Sequence, residues 1–432
     1  MKITFVYPAF ERHADAHPEL KAWVPANEYI GPPSLGIACV AAATPPGHTV
    51  EFIDDRVTPF NVDHESDLFA LSFFTPAATR AIEIADALRA RGKRVVAGGI
   101  FPSMMPEAVA SHFDAVVVGE GEPVWADVVN DAEHGALRPR YSAPPADLAP
   151  LVPPQVDLYL GAERDGYRPD DYPLQISRGC PLHCDACVLP EYLAPKMRFH
   201  SMDYLTATMK RYAAAGKLAS FTEDTSFFPQ ARRGFRELIE LCVKLQGEGL
   251  NLRLSYIGIS LPIILNLDPT LLADLKRTGI DRFYVVGGFD PVTRGAFGPG
   301  DPKMLDKAVR AIARCHEFGI DPYVSFLVGN RDDDEGTFDR MLEFTRVAKI
   351  DLAEFCISTP YPGTPIWRRY NDEGRVFDRA WKHYNDANIV FRPHNMTPER
   401  LFEGYLYLWR EFYQGRARDM SERPHTRSTI QF

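Results

Sequence analysis

Residues 175–187, QISRGCPLHCDAC, set Cys180, Cys184 and Cys187 in a C-x3-C-x2-C spacing directly behind a short apolar run, and no other stretch restricts the chain so far. Three thiolates in so short a loop point to a metal. A loop of this length can wrap one face of a cubane cluster and leave one iron without a protein ligand, open to substrate or cofactor. A structural zinc would require His183 as fourth ligand, with adjacent His183 and Cys184 on one tetrahedral ion and no second ligand pair at the usual spacing. The other four cysteines, Cys39, Cys242, Cys315 and Cys356, stand singly. That distribution reads as one metal site in a reducing compartment rather than a disulfide framework.

Around this loop the chain alternates strands and helices. Apolar runs at residues 3–7, 49–53, 68–73, 94–97 and 115–118 read as strands, with helices expected over 35–43, capped by Ser34, and over 76–91. Such alternation predicts an α/β unit with a parallel sheet and helices on both faces. Ligands of these sheets lie beyond the carboxyl ends of the strands. The loops there carry Ser72 and Thr75, Gly98 and Gly99, and Glu120 and Gly121. Glycines at these positions permit close backbone approach to a large ligand, and they equally suit plain strand-to-helix turns. No G-x-G-x-x-G follows the first strand, so a dinucleotide is not indicated.

Six prolines between Pro139 and Pro154 mark a stiff linker. A second run of strand and helix signals begins at about residue 171, and six units in about two hundred residues fit an open, partial (β/α)6 TIM barrel, whose active site belongs at the carboxyl ends of its strands. Asp224 and Asp290 stand at such ends, and Arg253 alternates with Leu252 and Leu254 on an expected strand, facing either the lumen or the helices. Residues 398–413 have apolar positions at helical spacing behind Thr397 as N-cap. The expected division is a Rossmann-like domain at 1–137, a Pro-rich linker at 138–170, the barrel at 171–375 and a helical region at 376–432, its tail after Gly415 polar and loose.

Composition narrows the partners. A net charge of −10 argues against nucleic acid, and the pairs Arg232-Arg233 and Arg368-Arg369 read as solvated helix faces. No apolar run approaches the ~20 residues of a membrane span and no charged-then-apolar leader opens the chain, so a cytoplasmic protein is expected.

The C-x3-C-x2-C spacing resembles the signature of radical S-adenosylmethionine (SAM) enzymes, and the lead-in Ser177-Arg178-Gly179-Cys180-Pro181 is similar to their cobalamin-associated branch. Gly31-Pro32-Pro33-Ser34-Leu35-Gly36, the 72–75 segment, Gly98-Gly99 and Val118-Gly119-Glu120-Gly121-Glu122 resemble the cobalamin-binding (flavodoxin-like) domain of that branch. The resemblance implies a 4Fe-4S cluster on Cys180, Cys184 and Cys187, SAM on its open iron, and cobalamin at Ser72, Thr75, Gly98, Gly99, Glu120 and Gly121. With no D-x-H-x-x-G motif, no histidine ligand to cobalt is expected. It also implies SAM contacts from Asp224 to the amino group, from Asp290 to the ribose, and from Gly287, Gly288 and Gly329. Ala186 stands where relatives carry an aromatic, Phe101 where a polar residue is frequent, and Asn330 where an apolar residue is frequent.

The function implied is C-methylation of an unactivated carbon in a tetrapyrrole, polyprenoid or natural product, with a single-electron donor such as flavodoxin or ferredoxin. A radical oxidoreductase or ring-forming enzyme on the same scaffold, and a non-catalytic corrinoid or iron-sulfur carrier, stay open. A second cluster loop, as a methylthiotransferase would carry, has no cysteines to build it.

Overall fold

The structure, a computed structural model, describes residues 1–23, 31–165, 167–221, 228–285 and 303–414. The strands are β1 (Lys2–Tyr7), β2 (Thr49–Asp54), β3 (Leu68–Ser72), β4 (Arg94–Gly98), β5 (Ala115–Val118) and β6 (Arg140–Ser142), followed by β7 (Asp171–Leu174), β8 (Ser177–Arg178), β9 (Arg198–Phe199), β10 (Leu218–Phe221), β11 (Tyr256–Ile259), β12 (Arg282–Val285), β13 (Asp321–Val328) and β14 (Leu352–Ile357).

The first six form one parallel sheet in the order β2-β1-β3-β4-β5-β6. Its central strands are apolar on both faces, as Val95, Val96, Val116 and Val117 show, because helices cover both sides. Two details differ from expectation. The Pro-rich segment is no free spacer: β6 completes the sheet, and Gln155 N–H donates to the Ala38 carbonyl. Ser34 is no N-cap either, since the helix Gly36–Ala42 starts behind Leu35 and the Ser34 carbonyl accepts from the Tyr159 hydroxyl at 2.6 Å.

In the second unit β7 pairs with β10, and β11, β12, β13 and β14 follow in order, all parallel. A bridge between Ala219 and Leu254 joins the two groups into the expected open series of six. On β12 to β14 the alternation assigns faces. Phe326 packs on Phe344 and Phe355 on Trp409 and Phe412 of the surrounding helices, so the opposite parity, Tyr284, Tyr323 and Glu354, faces the lumen. Arg253 is exposed and precedes β11, so it is not a lumen residue.

The C-terminal helix Pro398–Tyr413 forms as its pattern dictates. The Thr397 hydroxyl accepts from Arg400 N–H at 3.2 Å, and Leu401, Tyr405, Leu408, Trp409 and Phe412 are buried on one face. The two units share a core. Phe52 of β2 meets Tyr159, which stacks on Tyr172 of β7, which stacks on Tyr212. No helix among the described residues is long and apolar enough to cross a membrane.

Candidate active site

The cysteine loop is tied at its neck. β8 and β9 pair antiparallel, with Arg178 opposite Arg198, so residues 179–197 leave and return at one place. Gly179 sits at φ +92°, where a Cβ would lie 2.3 Å from the Lys196 carbonyl oxygen; only glycine fits. Cys180 is buried and its N–H donates to the Ala194 carbonyl, Cys187 is half-buried and donates to the Cys184 carbonyl, and Cys184 is exposed. Although Cys184 reaches the surface, partial desolvation by the loop around it, then the charges of Cys180 and Asp185, push its thiol up, so iron must displace its proton.

Among the described residues no three His, Cys, Asp or Glu side chains converge on a single metal ion. A cubane suits this arrangement, because each thiolate takes a separate iron and the sulfurs need not meet at one point. The helix Pro365–Asp372 latches the loop from outside: Ile366 N–H donates to the Asp185 carbonyl, Arg369 pairs with Asp185 at 2.7 Å, and Arg368 pairs with Glu191. Arg368 and Arg369 are therefore loop anchors rather than a merely solvated face.

Ser72, Thr75, Gly98, Gly99, Glu120 and Gly121, far apart in sequence, line one cavity of about 560 Å³. Parallel strands bring them together, since their carboxyl ends share an edge. The opposite wall comes from the cluster loop, with Ala186, Val188 and Leu189, and from the loop after β14, with Tyr361 and Pro362. Ala186 thus faces the cavity without the ring found in relatives, while Tyr192 supplies one nearby. The residues fit a broad macrocycle, with backbone and hydroxyls on one side and apolar surface on the other. Gly99 also answers to packing, because at φ +97° a Cβ would lie 2.7 Å from the Phe73 carbonyl oxygen. Phe101 does not line the cavity; it is buried against Phe73 and Trp381.

Glu120 has a second task. Its carboxylate receives Ala146 N–H at 2.8 Å and is gripped by Arg198, while Glu122 holds Arg178 at 2.6 Å. The side chains of Arg178, Glu122 and Glu120 are 8, 6 and 4% exposed, so this clamp between the first sheet and the neck of the cysteine loop is screened from water. Burial alone would lower the Arg178 pKa, but Glu122, Cys39 and Glu120 raise it, so the guanidinium stays charged.

Asp224, Asp290, Gly287 and Gly288 lie outside the described residues. Gly329 follows β13 at a strand end, but a Cβ there would meet Leu401 at 2.8 Å and Phe391 at 3.1 Å, so protein packs on that side. Two carboxylates escaped sequence reading. Glu354 in the lumen accepts from the hydroxyls of Tyr284 and Tyr323, and burial raises its pKa. It was visible as a lone charge inside an apolar strand. Asp386, on the cavity wall beside Asn385, had no such signal, since it sits in irregular chain.

A glycine-looped parallel sheet whose cavity is also lined by Ala186, Val188 and Leu189 of the cysteine loop, joined to an open six-stranded barrel, has the parts of an enzyme with two cofactor sites. The comparisons agree. Residues 30–129 match the B12 binding domain and residues 174–345 the radical SAM superfamily. Bacteriochlorophyllide d C-8(2)-methyltransferase of Chlorobaculum tepidum is 27% identical over 396 residues, 87% of this chain and 86% of that protein. The C-12(1)-methyltransferase of the same organism is 28% identical over 394 residues, 89% and 83% of the two chains. A solved structure of the radical S-adenosylmethionine methyltransferase TsrM from Kitasatospora setae, with cobalamin and a 4Fe-4S cluster bound, superposes with a TM-score of 0.64 at 17% identity, covering 86% of this chain and 78% of that one, and shares the fold. The chain belongs to the cobalamin-binding radical SAM enzymes.

Proposed function

We propose that this protein is a cobalamin-dependent radical SAM C-methyltransferase acting on a large, partly apolar small molecule, with a cyclic tetrapyrrole of the bacteriochlorophyllide type first among candidates. The observation that carries it is the single cavity walled on one side by the strand-end loops of the B12 binding domain and on the other by the cysteine loop. The names of the two Chlorobaculum relatives support methylation and the tetrapyrrole class.

When bound, a 4Fe-4S cluster with SAM supplies a hydrogen-abstracting radical and a corrinoid supplies a methyl group. The chain's own part is placement. Cys180, Cys184 and Cys187 hold the cluster; Ser72, Thr75, Gly98, Gly99 and Gly121 receive the corrinoid, with Glu120 fixing the loop after β5 that carries Gly121; Asp224, Asp290, Gly287, Gly288 and Gly329 attend SAM. The Arg178–Glu122 and Arg198–Glu120 pairs keep the cysteine loop and the corrinoid loops at one spacing. Leu35, Val188, Leu189 and Pro362 keep water from the cavity they line. The exposed Cys184 side is where a flavodoxin or ferredoxin in the cytoplasm would deliver an electron. The working units are the first sheet to about residue 142, a packed connection to 170, the barrel to about 375 and the C-terminal region.

Anaerobically reconstituted protein incubated with methyl-deuterated SAM and bacteriochlorophyllide d tests the reading. Methylation yields one 5'-deoxyadenosine and one S-adenosylhomocysteine per product, with deuterium in the added methyl group. Turnover giving 5'-deoxyadenosine without S-adenosylhomocysteine or label would assign the scaffold to oxidation or ring formation instead.

A further inference from the structure

We propose that Asp386 is a corrinoid-recognition residue, whose carboxyl group donates a hydrogen bond to a carboxamide oxygen on the rim of the macrocycle. The inference rests on the corrinoid reading above.

Position comes first. Asp386 lies past the last barrel strand, in a backbone conformation of φ +60°, and its carbonyl accepts from Ile357 N–H at 2.7 Å, which fastens the segment to the end of β14. Asp is among the few residues that tolerate this conformation, and the site keeps it at some cost. From there Asn385 and Asp386 line the same cavity as Ser72, Gly98, Gly99 and Gly121 of the B12 binding domain. A residue of the C-terminal region thus reaches the cavity that the loops of the first domain line.

Surroundings come second. The titratable groups around Asp386 are Glu354 and Cys356 from β14, Tyr361 from the loop after it, and Tyr405 from the C-terminal helix. None is a cation at neutral pH, and among the described residues Asp386 has no Lys, Arg or His partner. Burial, reinforced by the charge of Glu354, pushes its pKa up to about 7 against the hydroxyls of Tyr361 and Thr359, which lower it. A carboxylate would repel the carbonyl oxygens of a corrinoid's amide side chains, whereas a carboxylic acid donates to them. In a wall as apolar as this one a single donor carries weight, because an unmet acceptor in the ligand would go unsolvated.

The test is methylcobalamin binding, whose axial methyl group does not titrate, to the cluster-loaded full chain in the dark. For the natural protein the dissociation constant should be level up to about pH 7 and rise toward tenfold per pH unit above it. Asp386→Asn retains an N–H donor and suits the same backbone, so its affinity should match the low-pH value and stay flat up to about pH 9. Asp386→Ala should bind about tenfold more weakly at low pH, also without pH dependence. A level profile for the natural protein, or an Asn variant that follows the natural pH dependence, overturns the proposal. Should the Ala variant fail to fold or lose its iron, the Asn comparison decides alone. Affinity unchanged in both variants while methylation of bacteriochlorophyllide d declines would hand Asp386 to the substrate and likewise overturn it. A natural protein that binds no corrinoid at all removes the broader reading, a result distinct from all of these.

Discussion

Cys184 is the exposed member of the thiol triplet, so its replacement disturbs packing least and reports on the metal most directly. Cys184→Ala should leave the fold intact and reduce reconstituted iron from about four per chain toward zero, measured by iron and sulfide content. Stoichiometric zinc in the natural protein would refute the cluster. One position earlier than Cys180, Gly179→Ala should fail differently. The added methyl group meets the Lys196 carbonyl at 2.3 Å in a left-handed backbone, so the neck must open. Strain of this kind costs about 1–3 kcal/mol, and the expected readout is a lowered melting temperature together with slower cluster incorporation.

At the scale of elements, the buried clamp joins two units whose loops line one cavity. Glu122→Gln leaves the Arg178 guanidinium charged and short of its partner, and breaking such a buried pair costs about 3–5 kcal/mol. Replacing both residues with methionine removes the stranded charge along with the pair. The double variant should therefore be more stable than Glu122→Gln, as measured by chemical denaturation. If each change instead cost its own amount additively, the two side chains would not be interacting as the 2.6 Å contact indicates. Arg198 with Glu120 provides a parallel tie, so either pair alone should keep the units docked.

For the whole molecule, the N- and C-terminal segments meet at His13. Its ring lies edge-on to Tyr405 of the C-terminal helix, with Nδ1 3.4 Å from the hydroxyl, and it is buried. Burial, helped by His17, lowers its pKa from 6.5 to about 4, against a small opposing contribution from the Asn385 backbone. The unfolded chain therefore binds a proton at His13 before the folded one does. The stability this residue contributes is full above pH 6.5 and is lost as pH falls toward 4. His13→Leu should flatten the decline in melting temperature over that window, and an unchanged slope would mean that His13 does not titrate with unfolding. Asp386 runs the other way: with its pKa raised to about 7, folding takes up a proton there, so its contribution grows as pH falls from 7 toward 3.8.

The sequence by itself determined the periodic parts: the α/β alternation, the C-terminal helix with its Thr397 cap, and the thiol triplet whose spacing is a local property of one loop. It also placed Ser72, Thr75, Gly98, Gly99 and Gly121 at strand ends, because parallel topology sends alternate loops to one edge. What it could not carry were contacts between segments distant in the chain. Arg368 and Arg369 looked like solvent-facing charges until the helix after β14 was set against Asp185 and Glu191. Glu120 read as a ligand residue alone, and only the fold shows that Arg198, 78 positions away, also grips it. Asp386 had no pattern at all, since irregular chain has no periodicity, and only the packing of that segment over the end of β14 brought the residue to the cavity wall. Local spacing is written in the order of residues, whereas the burial that shifts a proton or pairs a charge exists only once distant segments exclude water together.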